Sequence, residues 1–147
     1  MCFRFLGYPL GFHLAVILAL QKGNAGMGRR VSELGGIPLG VVTSRRFPDG
    51  ETYLRIDTDC AGKTVILVCT LERPDDKLLP LVFLADAVRE LGAARVGLVA
   101  PYLAYLRQDR RFLPGEAVTS KTFAGLLSRY VDWAGHARTR ICTAIRR

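Results

Sequence analysis

The chain has 147 residues, of which 50% are hydrophobic and 23% are charged, and its formal net charge is +8 at pH 7. This length and composition are those of one globular domain with an ordinary core, which excludes an intrinsically disordered chain. The charge would suit a polyanion, either nucleic acid or a phosphate-bearing small molecule. Most of the excess lies after residue 100, and this local distribution argues against nucleic acid.

Residues 5–20 are almost entirely apolar and follow Arg4, so a signal peptide or a membrane anchor has to be considered. Gly7, Pro9 and Gly11 interrupt this segment, and it is shorter than the ~20 residues that a membrane helix needs. We therefore expect no membrane association, with export as the alternative.

The four cysteines form no Cys-x-x-Cys pair and do not have metal-ligand spacing relative to His13 and His136. Reduced thiols fit this pattern, and with them a cytoplasmic location. Cys69 lies inside an apolar run and is predicted to be a small buried hydrophobic residue rather than a reactive thiol.

The first two predicted elements are a buried strand and a short helix. Residues 15–20 form a continuous apolar run rich in strand-forming residues, which predicts a strand covered on both faces. Met27, Val31 and Leu34 then recur at helical spacing, and the glycine pair at 35–36 ends the helix.

A hairpin is predicted next, because the Pro-Asp-Gly sequence at 48–50 favours a turn between residues 40–47 and 52–57. Proline presets the first dihedral angle of the turn, and glycine accepts a positive φ. In the second segment the side chains predicted to face outward are Tyr53 and Arg55, and those predicted to face inward are Leu54 and Ile56.

Residues 64–70 and 95–100 are two further apolar runs that predict buried strands, with a helix between them. Pro80 is expected in the first turn of this helix and Gly92 at its end. A strand, a helix and a strand at this spacing form a right-handed βαβ unit with parallel strands. The predicted buried stripe of the helix consists of Leu78, Val82, Ala85, Val88 and Leu91.

A long loop is predicted over residues 101–118, at the carboxyl end of a strand, where open α/β sheets bind ligands. Arg107, Arg110 and Arg111 place three guanidinium groups there, and guanidinium matches phosphate oxygens in bidentate fashion. A solvated basic loop is the alternative, but the length of the loop favours a functional site.

The last predicted helix has the Thr-Ser pair at 119–120 as its cap and continues through residue 130. No strand is predicted after Trp133, because residues 134–147 show neither alternation nor a buried apolar run.

Three motifs and their spacing resemble successive motifs of the ribose-phosphate pyrophosphokinases. They are Phe47-Pro-Asp-Gly-Glu51, Pro101-Tyr-Leu-Ala-Tyr-Leu-Arg-Gln-Asp109 and Pro114-Gly-Glu-Ala-Val-Thr-Ser120. The resemblance covers residues 15–133 and implies that they are the amino-terminal domain of this family. It also implies the fold, which is a phosphoribosyltransferase-like, Rossmann-like α/β domain of three layers around a parallel sheet.

The resemblance implies transfer of the diphosphoryl group of ATP to ribose 5-phosphate, with magnesium, to give phosphoribosyl pyrophosphate for nucleotide biosynthesis. It further implies a homo-oligomer whose nucleotide site is shared between neighbouring subunits. The expected ATP-binding residues are Arg107, Gln108 and Asp109 on one subunit and Phe47, Asp49 and Glu51 on its neighbour.

The chemistry of these side chains suits the implied roles. Phe47 can pack on the adenine ring, Asp49 and Glu51 can accept hydrogen bonds from its exocyclic amine or the ribose hydroxyls, and Arg107 can oppose phosphate charge. The alternatives are structural, since Phe47 could belong to the core and Asp49 could stabilise its own turn.

The family's second domain, with its catalytic lysine and arginine loop and its ribose-phosphate loop, has no counterpart in this sequence, and neither has its Asp-x-His element. We therefore expect a truncated chain with no catalytic residue and no activity by itself. Back-translation of residues 137–145 in another frame permits Asp-Pro-His-Leu-His-Arg-Tyr, so residues 134–147 are interpreted as a frame-shifted tail. Residues 1–14 are interpreted as an extension outside the family pattern. A non-catalytic, associated or regulatory subunit of the same family is the alternative function.

Overall fold

The computed structural model describes residues 15–19, 24–136 and 139–142. Residues 1–14, interpreted above as an extension, lie outside the described residues. Within the described ranges, no helix is both long enough and apolar enough to cross a membrane. The elements in chain order are β1 (Ala15–Ala19), α1 (Ala25–Gly35), β2 (Val42–Arg46), β3 (Thr52–Ile56), β4 (Thr64–Val68), α2 (Asp75–Glu90), β5 (Arg95–Val99), α3 (Thr119–Tyr130), β6 (Trp133–His136) and β7 (Thr139–Cys142).

The main sheet has five strands in the order β1-β4-β5-β6-β7. Its first four strands are parallel, and β7 is antiparallel to β6. The unit of β4, α2 and β5 has adjacent parallel strands, with Val65 level with Val96. The predicted parallel-sheet α/β fold is therefore confirmed.

Helices cover both faces of this sheet, because consecutive strand residues point to opposite sides. In β4, Leu67 belongs to a large core cluster that includes Leu84 of α2 and Phe123 of α3. Its neighbour Ile66 belongs to a smaller cluster, against which Val31 of α1 packs. The two clusters lie on opposite faces, so the predicted three-layer arrangement is also confirmed.

The hairpin forms as predicted, with β2 and β3 paired in a separate two-stranded antiparallel sheet. Gly50 occupies the turn with a φ of 93°, a backbone conformation that favours glycine. Leu54 and Ile56 pack against the large core cluster, whereas Arg55 is exposed and Tyr53 is half-buried.

Helix α2 differs from its prediction at two positions. Pro80 lies in the second turn and not in the first, because the helix begins at Asp75. Leu91 was predicted to be buried but is 48% exposed. The helix ends at Glu90, and Leu91 is its C-terminal cap residue. Gly92 follows with a φ of 84° and ends the helix as predicted.

The position of Pro80 has a consequence for the hairpin. Proline has no N–H, so it leaves the carbonyl of Asp76, four residues earlier, without its helical partner. The Arg46 guanidinium donates to this carbonyl oxygen at 3.3 Å and also to the Gly50 carbonyl oxygen at 3.3 Å. Arg46 therefore fastens the hairpin to the first turn of α2.

The prediction of no strand after Trp133 is wrong, since β6 and β7 form there. Strand β6 pairs with β5 on one side and with β7 on the other, and backbone pairing of this kind needs no apolar alternation. The Ala100 N–H donates to the Gly135 carbonyl at 2.9 Å, which extends the pairing with β5. Gly97 in β5 has no side chain, and the Trp133 indole fills the space that a methyl group there would need.

Cys69 is fully buried after β4, as predicted, and burial raises the pKa of its thiol from 9.0 to about 11. Thiolate is the reactive form, so at pH 8 this shift lowers the thiolate fraction about a hundredfold. We expect iodoacetamide at pH 8 to label Cys69 at least about tenfold more slowly in the folded chain than in urea. Mass spectrometry of the Cys69 peptide measures both rates, and equal rates would contradict the burial.

Candidate functional site

The carboxyl ends of β1, β4 and β5 meet at one edge of the main sheet, and hydrogen bonds hold the segments that follow them. Asn24 is only 2% exposed, and its Oδ1 accepts from the Thr70 N–H at 3.0 Å. The Leu71 N–H donates to the Tyr102 carbonyl at 2.9 Å. The second contact holds the start of the 101–118 loop, which carries the predicted phosphate-binding residues.

Tyr105 anchors the first half of that loop. Its hydroxyl donates to the Asp75 carboxylate at the start of α2, and its ring packs on Phe123 of α3 with 5.0 Å between ring centroids. The hydrogen bond to Asp75 is the main reason that the pKa of Tyr105 is raised. The backbone of Tyr105 has a φ of 57°, a conformation that residues other than glycine seldom adopt. The two side-chain contacts hold it in this conformation.

The second half of the loop is held by Glu116. Its carboxylate accepts from the Phe112 N–H at 2.9 Å and from the Leu113 N–H at 3.1 Å. The Arg111 Nε donates to the Glu116 carbonyl at 2.9 Å, and the Arg110 guanidinium lies 4.8 Å from the centroid of the Phe112 ring. Two of the three loop arginines therefore serve the structure of the loop itself.

Gln108 joins the loop to the start of α3. The Thr119 hydroxyl donates to Gln108 Oε1 at 3.1 Å, and the Ser120 N–H donates to the Gln108 carbonyl at 3.3 Å. The predicted Thr-Ser cap is wrong, because Val118 is the cap residue and no side chain caps the helix. The Gln108 carbonyl satisfies the free N–H of Ser120 instead.

Arg107 and Asp109 flank this fixed position and are exposed. Neither residue has a hydrogen bond, an ion pair or a ring contact within the described ranges. Arg107 is thus the loop arginine whose guanidinium has no partner among the described residues, and it is one residue from a side chain that is held against α3.

The hairpin turn presents the other predicted residues. Asp49 Oδ1 accepts from the Glu51 N–H at 3.1 Å. Asp49 therefore stabilises its own turn through one of its oxygens, as the structural alternative predicted. The Phe47 N–H donates to the Glu51 carbonyl at 2.8 Å, which closes the turn. The Glu51 side chain is exposed and has no partner among the described residues.

Phe47 is not a core residue, because it is 38% exposed. Its ring meets the Tyr53 ring edge to face, with 6.1 Å between centroids. The Arg45 guanidinium lies over both rings, 4.7 Å from the Phe47 centroid and 4.5 Å from the Tyr53 centroid. The stack fixes the orientation of Phe47 and leaves part of its surface open to solvent.

Within the described residues of one chain, no hydrogen bond, ion pair or ring contact joins the hairpin turn to Arg107, Gln108 or Asp109. Both regions instead touch the first turn of α2, the hairpin through Arg46 and the loop through Tyr105. The structure therefore brings together the members of each group but not the two groups.

Comparison with known proteins decides the family. The sequence model of a protein family, the N-terminal domain of ribose phosphate pyrophosphokinase, matches residues 16–130, which is most of the chain. This chain belongs to the ribose-phosphate pyrophosphokinase family. The family membership that the three motifs predicted is therefore confirmed.

Archaeal members of the ribose-phosphate pyrophosphokinase family are among its relatives. The ribose-phosphate pyrophosphokinase of Saccharolobus solfataricus is 43% identical over 104 residues, which are 70% of this chain and 36% of the relative. That of Methanopyrus kandleri is 40% identical over 118 residues, or 80% of this chain and 40% of the relative. The chain thus spans well under half the length of these curated relatives.

A solved structure supports the fold. The crystal structure of phosphoribosylpyrophosphate synthetase from Mycobacterium smegmatis superposes with a TM-score of 0.74 at 21% identity, over 84% of this chain and 42% of that chain. At this identity the likeness shows the fold alone, so the roles of the predicted site residues stay predictions.

Sequence reasoning missed the residues that position the two groups, which are Asn24, Arg46, Asp75 and Tyr105. One of them had a signal in the sequence. A proline in the second turn of a helix leaves a carbonyl free at Asp76, and an arginine in the adjacent hairpin is a natural donor for it. The contact of Tyr105 with Asp75 joins residues 30 positions apart and has no local signal.

Proposed function

We propose that this chain binds ATP as the amino-terminal domain of a ribose-phosphate pyrophosphokinase. The whole enzyme transfers the diphosphoryl group of ATP to ribose 5-phosphate and forms phosphoribosyl pyrophosphate for nucleotide biosynthesis. One observation carries the proposal: Arg107 is the uncommitted arginine in a loop that is otherwise fastened at both ends. A cytoplasmic location is part of the same proposal, because the proposed function uses ATP.

Arg107 and Gln108 are proposed to bind the phosphate groups of ATP. The guanidinium donates paired N–H groups to phosphate oxygens, and such charge-assisted hydrogen bonds are stronger than neutral ones. Gln108 keeps its amide nitrogen for the ligand, because its Oε1 already accepts from the Thr119 hydroxyl. Asp109 is proposed to accept from a ribose hydroxyl or a water molecule beside them.

The hairpin turn is proposed to bind the adenosine part of an ATP molecule held by a neighbouring copy of the chain. Phe47 offers an exposed ring held by Arg45 and Tyr53, and Glu51 offers a free carboxylate to the exocyclic amine. No contact joins the turn to Arg107 within the described residues of one chain, and in the proposed site the two groups come from two copies. The proposal therefore includes a homo-oligomer with a shared site.

Magnesium and ribose 5-phosphate are the remaining participants in the family reaction. Within the described residues, no three or more His, Cys, Asp or Glu side chains come together in a group that could hold a metal ion. In the proposal magnesium arrives with the ATP phosphates, which is its usual mode of binding. The 147 residues alone are proposed to bind ATP without completing the transfer.

Equilibrium dialysis with MgATP and an assay for phosphoribosyl pyrophosphate, both on the purified 147-residue chain, test these statements separately. We expect saturable ATP binding and no product above the level of a preparation from cells that lack the chain. Absence of saturable binding by a folded chain would refute the nucleotide site. Product formation would refute the inactivity. Binding by a chain that also raises the activity of a full-length family enzyme would favour an associated, regulatory subunit.

A further inference from the structure

A second basic region lies between the hairpin and the start of α2, away from Arg107. It is a cavity of about 350 Å³ whose wall includes four cationic side chains, Arg45, Arg46, Arg73 and Lys77. Asp76 is the one carboxylate on that wall among the described residues. The cations exceed the carboxylate by three charges, so the cavity has a local positive potential that favours an anion.

The cations are held in place mainly by neutral groups, which position a charge without cancelling it. Arg45 lies over the rings of Phe47 and Tyr53, and Arg46 donates to two backbone carbonyls. Lys77 Nζ donates to the Thr70 carbonyl at 2.9 Å, and its ion pair with the exposed Glu72 is longer, at 3.5 Å. These side chains have already lost most of their freedom, so an anion would not have to order them.

Arg73 adds a fourth cation in an unusual backbone conformation. Its φ is 48°, in the left-handed region that arginine seldom occupies, and its side chain has no partner within the described ranges. Residues other than glycine that adopt the left-handed backbone conformation cluster at ligand sites, where the strained backbone helps to position the side chain. Arg73 lies two residues before α2, which begins at Asp75.

We propose that this cavity binds a phosphate group, either as inorganic phosphate or as the phosphate of a small monoester. Planar guanidinium groups and an ammonium group suit the tetrahedral oxygens of phosphate, and several cations together suit its double negative charge. The cavity wall includes no residue of the loop that carries Arg107, and it shares only Arg45 with the stack that holds Phe47. Asp76 opposes the ligand and keeps its affinity low.

The test is titration of the ¹⁵N-labelled 147-residue chain with inorganic phosphate and, separately, with glycerol 3-phosphate as a monoester without a base, at constant ionic strength maintained with sodium chloride. We expect saturable shifts of the amide signals of Arg73, Asp76 and Lys77 with at least one of the two probes. Arg73→Gln should weaken that binding about tenfold, the effect of one charge-assisted contact. Asp76→Asn should tighten it about threefold, the size of one exposed ionic interaction, and a gain of affinity cannot result from unfolding.

Arg30→Gln is the matched control, because it removes one exposed positive charge from α1, outside the cavity. Its effect on phosphate binding should be less than about twofold, since salt screens distant charges. An equal loss in Arg30→Gln and Arg73→Gln would show a response to net charge and would overturn the proposal. Shifts confined to the Arg107 loop, or no saturable shift with either probe in a folded chain, would overturn it as well.

Discussion

Replacing Leu67 with alanine is expected to lower the free energy of unfolding by about 2–5 kcal/mol, the range for removal of a large buried aliphatic side chain. Leu67 is completely buried in β4, between β1 and β5, and belongs to the core cluster beneath α2 and α3. A small domain has a total stability of about 5–15 kcal/mol, so the variant should unfold at a much lower urea concentration. Urea titration followed by circular dichroism measures the difference.

Leu34→Ala provides the matched control for this substitution. It removes the same atoms from α1, but Leu34 is 77% exposed, so its effect should stay within about 0.5 kcal/mol. Similar midpoints for the two variants would contradict the assignment of β4 to the centre of a packed sheet.

Arg107→Ala is expected to weaken ATP binding by about 1.5–3 kcal/mol, which is roughly tenfold or more. The reason is the loss of a charge-assisted contact to phosphate by an arginine that has no structural partner within the described residues. The free energy of unfolding should change little, because Arg107 is exposed. Equilibrium dialysis with MgATP gives the affinity.

Arg30→Ala serves as the control for ATP binding, since it removes the same charge from a remote exposed position on α1. Its affinity for ATP should stay close to that of the parent chain, because a distant charge is screened. If Arg107→Ala and Arg30→Ala bind ATP equally well, Arg107 does not contact the nucleotide.

The fold was predictable wherever an element is defined by its own side chains. The runs at 15–20, 64–70 and 95–100 consist of apolar residues, and a strand buried on both faces needs little else. Strand β6 was missed because the backbone and Gly97 position it, and neither contributes to an apolar pattern. The first turn of α2 was misplaced because proline tolerates the start of a helix, whereas Pro80 lies one turn later and its missing hydrogen bond is compensated by Arg46.

The residue types of the candidate site were predictable, but the sequence does not show which of these residues contact the loop itself. Three arginines within five positions look equivalent in the sequence. Only the structure separates Arg107, which has no partner among the described residues, from Arg110 on the Phe112 ring and Arg111 on the Glu116 carbonyl. That division depends on how the loop folds back on itself, and charge patterning carries no information about it.

The shared nucleotide site is the central claim, and complementation between two defective variants tests it most directly. Phe47→Ala removes the proposed adenine contact, and Arg107→Ala removes the proposed phosphate contact. An oligomer that contains both variants has some interfaces where the intact Phe47 of one chain meets the intact Arg107 of another. We predict that each variant alone binds ATP weakly and that the mixture, unfolded and refolded together, regains sites with the affinity of the parent chain. A mixture that binds no more ATP than the sum of its two components would contradict the shared site.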